Sequence, residues 1–167
     1  MRSLVPAPVD TMGCAVLANP LSPAKDQRFQ TLIALMLSSQ TLDTVTAPTI
    51  WNMQKTLPHG LNLQDILDIE EEELDRLIGK VGFHSKKAGY IKRTAVILRD
   101  LWEGDIPGTV EGLCSLPGVG EKMAHLCMSA AWKKYVLLYP CYIFIFCHVC
   151  CLLIICFVLL LLFVLFP

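Results

Sequence analysis

All of the Asp, Glu, Lys and Arg in this 167-residue chain lies before residue 135. Residues 135–167 read YVLLYPCYIFIFCHVCCLLIICFVLLLLFVLFP and hold five of the eight cysteines. Such a division limits what can fold as an ordinary globular domain to the first 134 residues, where polar and apolar side chains are mixed. That length suffices for one domain with a core of its own. The mean hydropathy of +0.52 is high because of the uncharged stretch. The net charge of −1 argues neither for nor against a nucleic-acid partner.

The beginning of the chain, MRSLVPAPVDTMGCAVLANPLSPAKD, lacks the continuous apolar core of a secretory signal. It is rich in Pro and Ala, and residues 1–26 are expected to be loosely ordered. Cys14, Cys114 and Cys127 are spaced too widely for a disulfide framework or a zinc motif, which fits a reducing compartment.

From Gln27 the apolar spacing is helical. RFQTLIALMLSSQ is apolar on most sides of a helix and predicts a buried one. LDTVTAPTIWNMQKTL predicts a second helix, with Asp43 able to cap it. LNLQDILDIEEEELDRLIGKVG reads as two short helices, stopped at Gly79 or Gly82. The acidic run from Glu70 to Glu73 suits a helix start facing water. SKKAGYIKRTAVILRDLWEG predicts a longer amphipathic helix between a Ser85 cap and a Gly104 stop, with Ala88, Ile91, Ala95, Leu98 and Trp102 inward. IPGTVEGLCSL gives a short helix capped by Thr109, and GEKMAHLCMSAAW another. No alternating pattern competes, so the polar part is expected to be all-α.

The stretch SLPGVGEKMAHLCM, residues 115–128, is helix, tight turn, helix. Pro117 fixes φ, and Gly118 and Gly120 can take positive φ and bring the backbone close to a neighbour. A helix starting near Glu121 would aim its free N–H groups and positive dipole end outward, an arrangement that binds an anion such as a DNA phosphate. A bare turn of this kind is as readily a connection that needs glycine for sterics alone.

The stretches LIALMLSSQTLDTVTAPTI, IGKVGFHSKKAGYIKRTAVIL and GDIPGTVEGLCSLPGVGEKMAHLCMSAAW together resemble the endonuclease III family of DNA glycosylases, its animal members above all. The resemblance covers roughly residues 6–132, and LPGVGxKxA together with LxLSSQTxD carries it. It implies a helix-hairpin-helix glycosylase fold, here incomplete, over residues 27–132; the apolar composition of residues 133–167, outside the resemblance, is read as a hydrophobic helix. It also implies a bifunctional activity on double-stranded DNA carrying an oxidised base or an abasic site. Oxidised pyrimidines are excised and the abasic strand is then cut by β-elimination. Nuclear placement, or mitochondrial, is implied by the resemblance alone.

By the same resemblance Lys122 is the amine that attacks C1′ and forms an imine with the opened sugar. Such an amine needs partial burial, or the helix N-terminus beside it, to be neutral near pH 7. Outside that context a lysine near a helix start is most often solvated. Gln40 would fill the space left by a flipped base. Phe83 or His84 would act as a wedge against the opposite strand, and Lys86 and Lys87 would meet phosphates. Leu116, Gly118, Val119 and Gly120 would form the DNA-gripping hairpin. Lys80, Lys86, Lys87, Lys92, Arg93 and Arg99 read as a basic stripe, or else as a solvated helix face.

The departures from the family are as informative. Its VDTH stretch is absent, and no Asp or Glu follows Glu121, so the aspartate that assists base loss is missing. An impaired glycosylase, or a catalytically weak DNA-binding fragment, is the expectation. The family's [4Fe–4S] cluster is bound through C-x6-C-x2-C-x5-C. Cys141, Cys147, Cys150 and Cys156 come one residue short of that spacing. Their apolar flanks lack the polar surroundings of such a site, so neither a cluster nor another metal is expected. Residues 142–166 are long enough for a membrane span, flanked by Lys133 and Lys134. The preferred reading is that family sequence stops near Trp132 and unrelated sequence follows. Either way the apolar tail favours misfolding and aggregation.

Overall fold

The computed structural model describes residues 11–134, and among them the secondary structure is helical, with no strand formed. A 3-10 turn, Cys14–Val16, precedes seven helices: α1 (Ala24–Ser38), α2 (Asp43–Thr56), α3 (Leu63–Asp68), α4 (Glu71–Leu77), α5 (His84–Leu101), α6 (Val110–Cys114) and α7 (Glu121–Trp132). The chain is thus all-α as its periodicity predicts.

α1 is the central helix. Every residue from Phe29 to Leu37 is buried, including Gln30 and Thr31. An element apolar on all sides can only be satisfied by neighbours all round, and α1 packs on α7, α2 and α5. α5 follows the predicted pattern, with Ala88, Ile91, Ala95 and Leu98 buried and Trp102 half-buried at its end. α3 and α4 lie against α5, and α6 lies against α7.

Several helix ends differ from expectation. Asp43 is the first residue of α2 and makes no side-chain cap there. Its carboxylate still sits at the positive end of the helix. α5 begins at His84, two residues before the start that a Ser85 cap would set, and Ser85 donates to Asp75 across 3.3 Å instead of capping. Asn62 and Thr109 do cap, each accepting an amide N–H from three residues on. Glu71, Glu72 and Glu73 occupy the exposed first turn of α4, as their charge favours.

The segment before α1 is tied down further than its composition suggests. Leu17 is buried, Cys14 Sγ donates to the Ala34 carbonyl, and the Asn19 amide donates to Gln30 Oε1 at 2.7 Å. Gln30 Nε2 in turn donates to the Leu61 carbonyl at 2.9 Å. At the other end the Trp132 indole N–H donates to the Pro107 carbonyl at 3.0 Å. The Arg28 guanidinium lies 4.5 Å from the Trp132 ring centre and pairs with Asp105. Residues 142–166 and the tail cysteines lie outside the described residues. Among those described, no helix is long and apolar enough to cross a membrane.

Burial pushes the Cys127 thiol up to about 12, whereas Cys114 is exposed. A group so raised stays a protonated thiol until the pH nears 12, and the thiolate is the reactive form. Iodoacetamide at pH 8 should therefore label the Cys114 peptide of the native chain and leave the Cys127 peptide unlabelled until denaturant is added, as read by mass spectrometry.

Candidate nucleic-acid interface

α6 and α7 are joined by a tight hairpin whose apolar members face inward. Leu116 and Val119 are buried, so any contact they make outside the domain comes from their backbone. The Val119 amide donates to the Leu116 carbonyl at 3.2 Å and closes the turn. Of the two glycines expected to use positive φ, only Gly118 does, at 79°. Gly120 sits at −96° and 169°, ordinary extended backbone, as the N-cap of α7.

Gly118 is required twice over. Its φ disfavours a side chain, and a Cβ there would stand 2.7 Å from Tyr90 Cδ2. The hairpin is therefore laid on the Tyr90 ring, with Thr94 Oγ1 donating to the Pro117 carbonyl nearby at 3.4 Å. Tyr90 is a site residue that sequence reasoning missed. Its signal was faint: one aromatic on the helix that faces the hairpin, with Arg93 5.1 Å from its ring centre.

Lys122 is the second residue of α7 and is exposed. The first amide N–H groups of α7 have no side-chain cap and face outward beside it.

A cleft of about 270 Å³ opens next to the hairpin, and Gln40, Phe83, Lys86, Lys87, Tyr90 and Gly118 line it. The structure thus brings Gln40, Phe83 and Lys86 together with the hairpin. Gln40 and Phe83 are exposed and both have left-handed backbone, with φ of 52° and 58°. Lys122 stands four residues along the chain from Gly118 and does not line the cleft.

Other expectations fail on geometry. Lys87 is buried, and its ammonium donates to the carbonyls of Leu37 and Ser39, both at 2.7 Å, and to Thr41 Oγ1 at 3.3 Å. Its three N–H groups are used, and none remains for a phosphate. Burial also lowers its pKa. His84 Nδ1 is held 2.6 Å from Asp75 Oδ1 and is committed to that pair, which leaves Phe83 as the exposed wedge residue. The pairing with His84 holds the Asp75 carboxyl below its ordinary range.

The basic stripe is thinned. Lys92 donates to the carbonyls of Ile66, Leu67 and Ile69 at 2.9, 2.9 and 2.6 Å, and Arg99 pairs with Asp100 at 2.7 Å. Lys80, Lys86 and Arg93 are its exposed members that remain, Arg93 over the Tyr90 ring. No group of three or more His, Cys, Asp or Glu side chains suited to a metal occurs among the described residues.

The profile of the HhH-GPD superfamily of base excision DNA repair proteins matches residues 33–140. The chain belongs to that superfamily. It is 54% identical over 136 residues to the endonuclease III homolog of Schizosaccharomyces pombe, covering 81% of this chain and 38% of that protein. It is 48% identical over 132 residues to endonuclease III-like protein 1 of Mus musculus, covering 79% of this chain and 43% of that protein. The chain thus spans well under half the length of these relatives. Among solved structures, a trapped endonuclease III–DNA covalent intermediate is similar at a TM-score of 0.60 and 29% identity, covering 64% of this chain and 48% of that one. The helix-hairpin-helix segment and the SSQT loop both lie within the superfamily match.

The two hairpin glycines separate cleanly by experiment. Gly118→Ala meets both the positive φ and the Tyr90 ring and should cost about 2 kcal/mol or more. At Gly120 nothing lies within 4 Å of an added Cβ, so Gly120→Ala should cost about 1 kcal/mol or less, as a weaker N-cap. Urea unfolding of the two variants checks the difference.

Proposed function

We propose that this chain binds double-stranded DNA at damaged nucleotides and cuts abasic sites through Lys122. The observation that carries the reading is the position of that amine. It stands solvent-exposed on the first turn of α7, directly after a hairpin fixed on Tyr90, with Gln40 and Phe83 projecting beside the same hairpin. The covalent endonuclease III–DNA intermediate among its structural relatives supports it.

The chemistry follows from the amine. The Lys122 nitrogen adds to the C1′ aldehyde of the opened sugar, water leaves, and an imine forms. The imine withdraws electrons from C2′, a proton is lost there, and the electron pair expels the 3′ phosphate. The strand breaks while the sugar remains on the lysine until water releases it. The uncapped N–H groups of α7 are suited to hold a backbone phosphate during these steps.

Excision of oxidised pyrimidines by the same amine is the weaker activity of this chain. Base loss builds positive charge on the sugar, and residues 122–167 hold no Asp or Glu to stabilise it. The exposed position of Lys122 also admits a second reading, a DNA-binding fragment that holds the duplex without reacting.

Borohydride trapping tests both. Incubated with a duplex carrying one abasic site and then reduced, the chain should give a covalent protein–DNA band that Lys122→Ala abolishes. A retarded complex that weakens steeply with salt, without a covalent band, would establish the binding reading. The absence of both complex and band would overturn the proposal.

A further inference from the structure

Gln40 and Phe83 belong to different loops, 43 residues apart in sequence, yet they line one cleft and share one unusual backbone conformation. Left-handed φ at a residue with a side chain costs about 1–2 kcal/mol and persists only where the surroundings enforce it. The surroundings here are a single network. Lys87 Nζ holds the Leu37 and Ser39 carbonyls and Thr41 Oγ1, the groups that flank Gln40. Thr41 Oγ1 also accepts the Gly82 amide N–H at 3.2 Å, and Gly82 directly precedes Phe83. The loops touch backbone to backbone as well, since a Cβ on Gly82 would stand 3.1 Å from the Gln40 carbonyl oxygen.

We propose that Lys87 is a positioning residue, whose buried ammonium locks Gln40 and Phe83 into one two-pronged wedge that displaces bases beside a damaged nucleotide. The inference rests on the DNA reading above and adds to it the device that aims the probes. A side chain that pushes into a base stack must not fold away under the load. Loops ordered in advance do not spend binding free energy on being ordered. Phe83 supplies the apolar surface that enters the stack, and Gln40 supplies a polar end able to pair with an orphaned base edge. Lys87 touches neither base nor sugar. It acts through Thr41 and the last carbonyls of α1.

The test uses the full chain and a duplex in which 2-aminopurine sits opposite a tetrahydrofuran abasic-site analogue, which the lysine chemistry cannot cleave. Displacement is read as a fluorescence rise and binding by anisotropy, so the two are separated. Wild type should bind and raise the fluorescence. Lys87→Met should lower the displacement rate tenfold or more while affinity falls less than fivefold. Thr41→Val, which removes only the bridging hydroxyl, should slow displacement about threefold, and Thr41→Ser, which keeps it, should stay within twofold of wild type. A merely structural role would shift melting without splitting displacement from binding. Should Lys87→Met fail to fold, the Thr41 pair decides. Thr41→Val displacing as fast as wild type, or Thr41→Ser slowing equally, overturns the proposal. A wild type that does not bind the duplex overturns the DNA reading itself, and one that binds without displacement overturns the wedge alone.

Discussion

A buried ammonium that pairs with no carboxylate among the described residues organises this domain. Lys87 is only 5% exposed, and what balances its charge is the C-terminal end of α1. The last carbonyls of a helix carry partial negative charge and have no intrahelical partners. Two of its three N–H groups satisfy carbonyls at that end, groups that cost about 1–3 kcal/mol each if left bare and buried, and the third goes to Thr41 Oγ1. Lys92, five residues further along α5, repeats the device on the carbonyls at the end of α3. α5 is therefore a strut that stitches two helix ends to itself. The loops leaving those ends take their direction from it.

The hairpin is anchored to the same strut. Tyr90 lies under Gly118, and Thr94 reaches the Pro117 carbonyl. Lys87, Tyr90 and Thr94 fall at successive three- and four-residue steps, so one face of α5 carries the wedge loops and the hairpin together. The far end of α7 is held separately, by Trp132 against Arg28 and the Pro107 carbonyl. With both ends fixed, the first turn of α7 is held at the surface beside the hairpin, and Lys122 with it. Gln40 of the SSQT loop and Gly118 of the hairpin, far apart in sequence, line one cleft for this reason.

Much of this was legible before any coordinates. The period of apolar residues marked all seven helices, and the spacing of Pro117, Gly118 and Gly120 marked the hairpin and the start of α7. What sequence could not show was which side of a helix meets which neighbour. Lys87 and Lys92 look like surface cations because lysine usually is one, and only the carbonyls of α1 and α3, distant in sequence, reveal otherwise. Gln30 escaped for the same reason, since its partners Asn19 and Leu61 come from separate loops. Ser85 and Asp43 are ordinary capping residues, but Asp75 claims Ser85, and α2 begins on Asp43 itself. Positive φ at Gln40 and Phe83 leaves no mark in composition at all, because it is imposed by the network behind them.

Hydrogen exchange tests most directly whether that network governs the site. The amide of Gly82, bonded to Thr41 Oγ1, and that of Thr41, bonded to the Ser38 carbonyl, should be protected in the wild-type chain. In Lys87→Met both should lose protection by far more than the Ala124 amide within α7, because the two wedge loops come free while the rest of the core holds. Equal loss at all three amides, or none at any, would contradict the account, since Lys87 would then be one core residue among many or no constraint on the wedge loops.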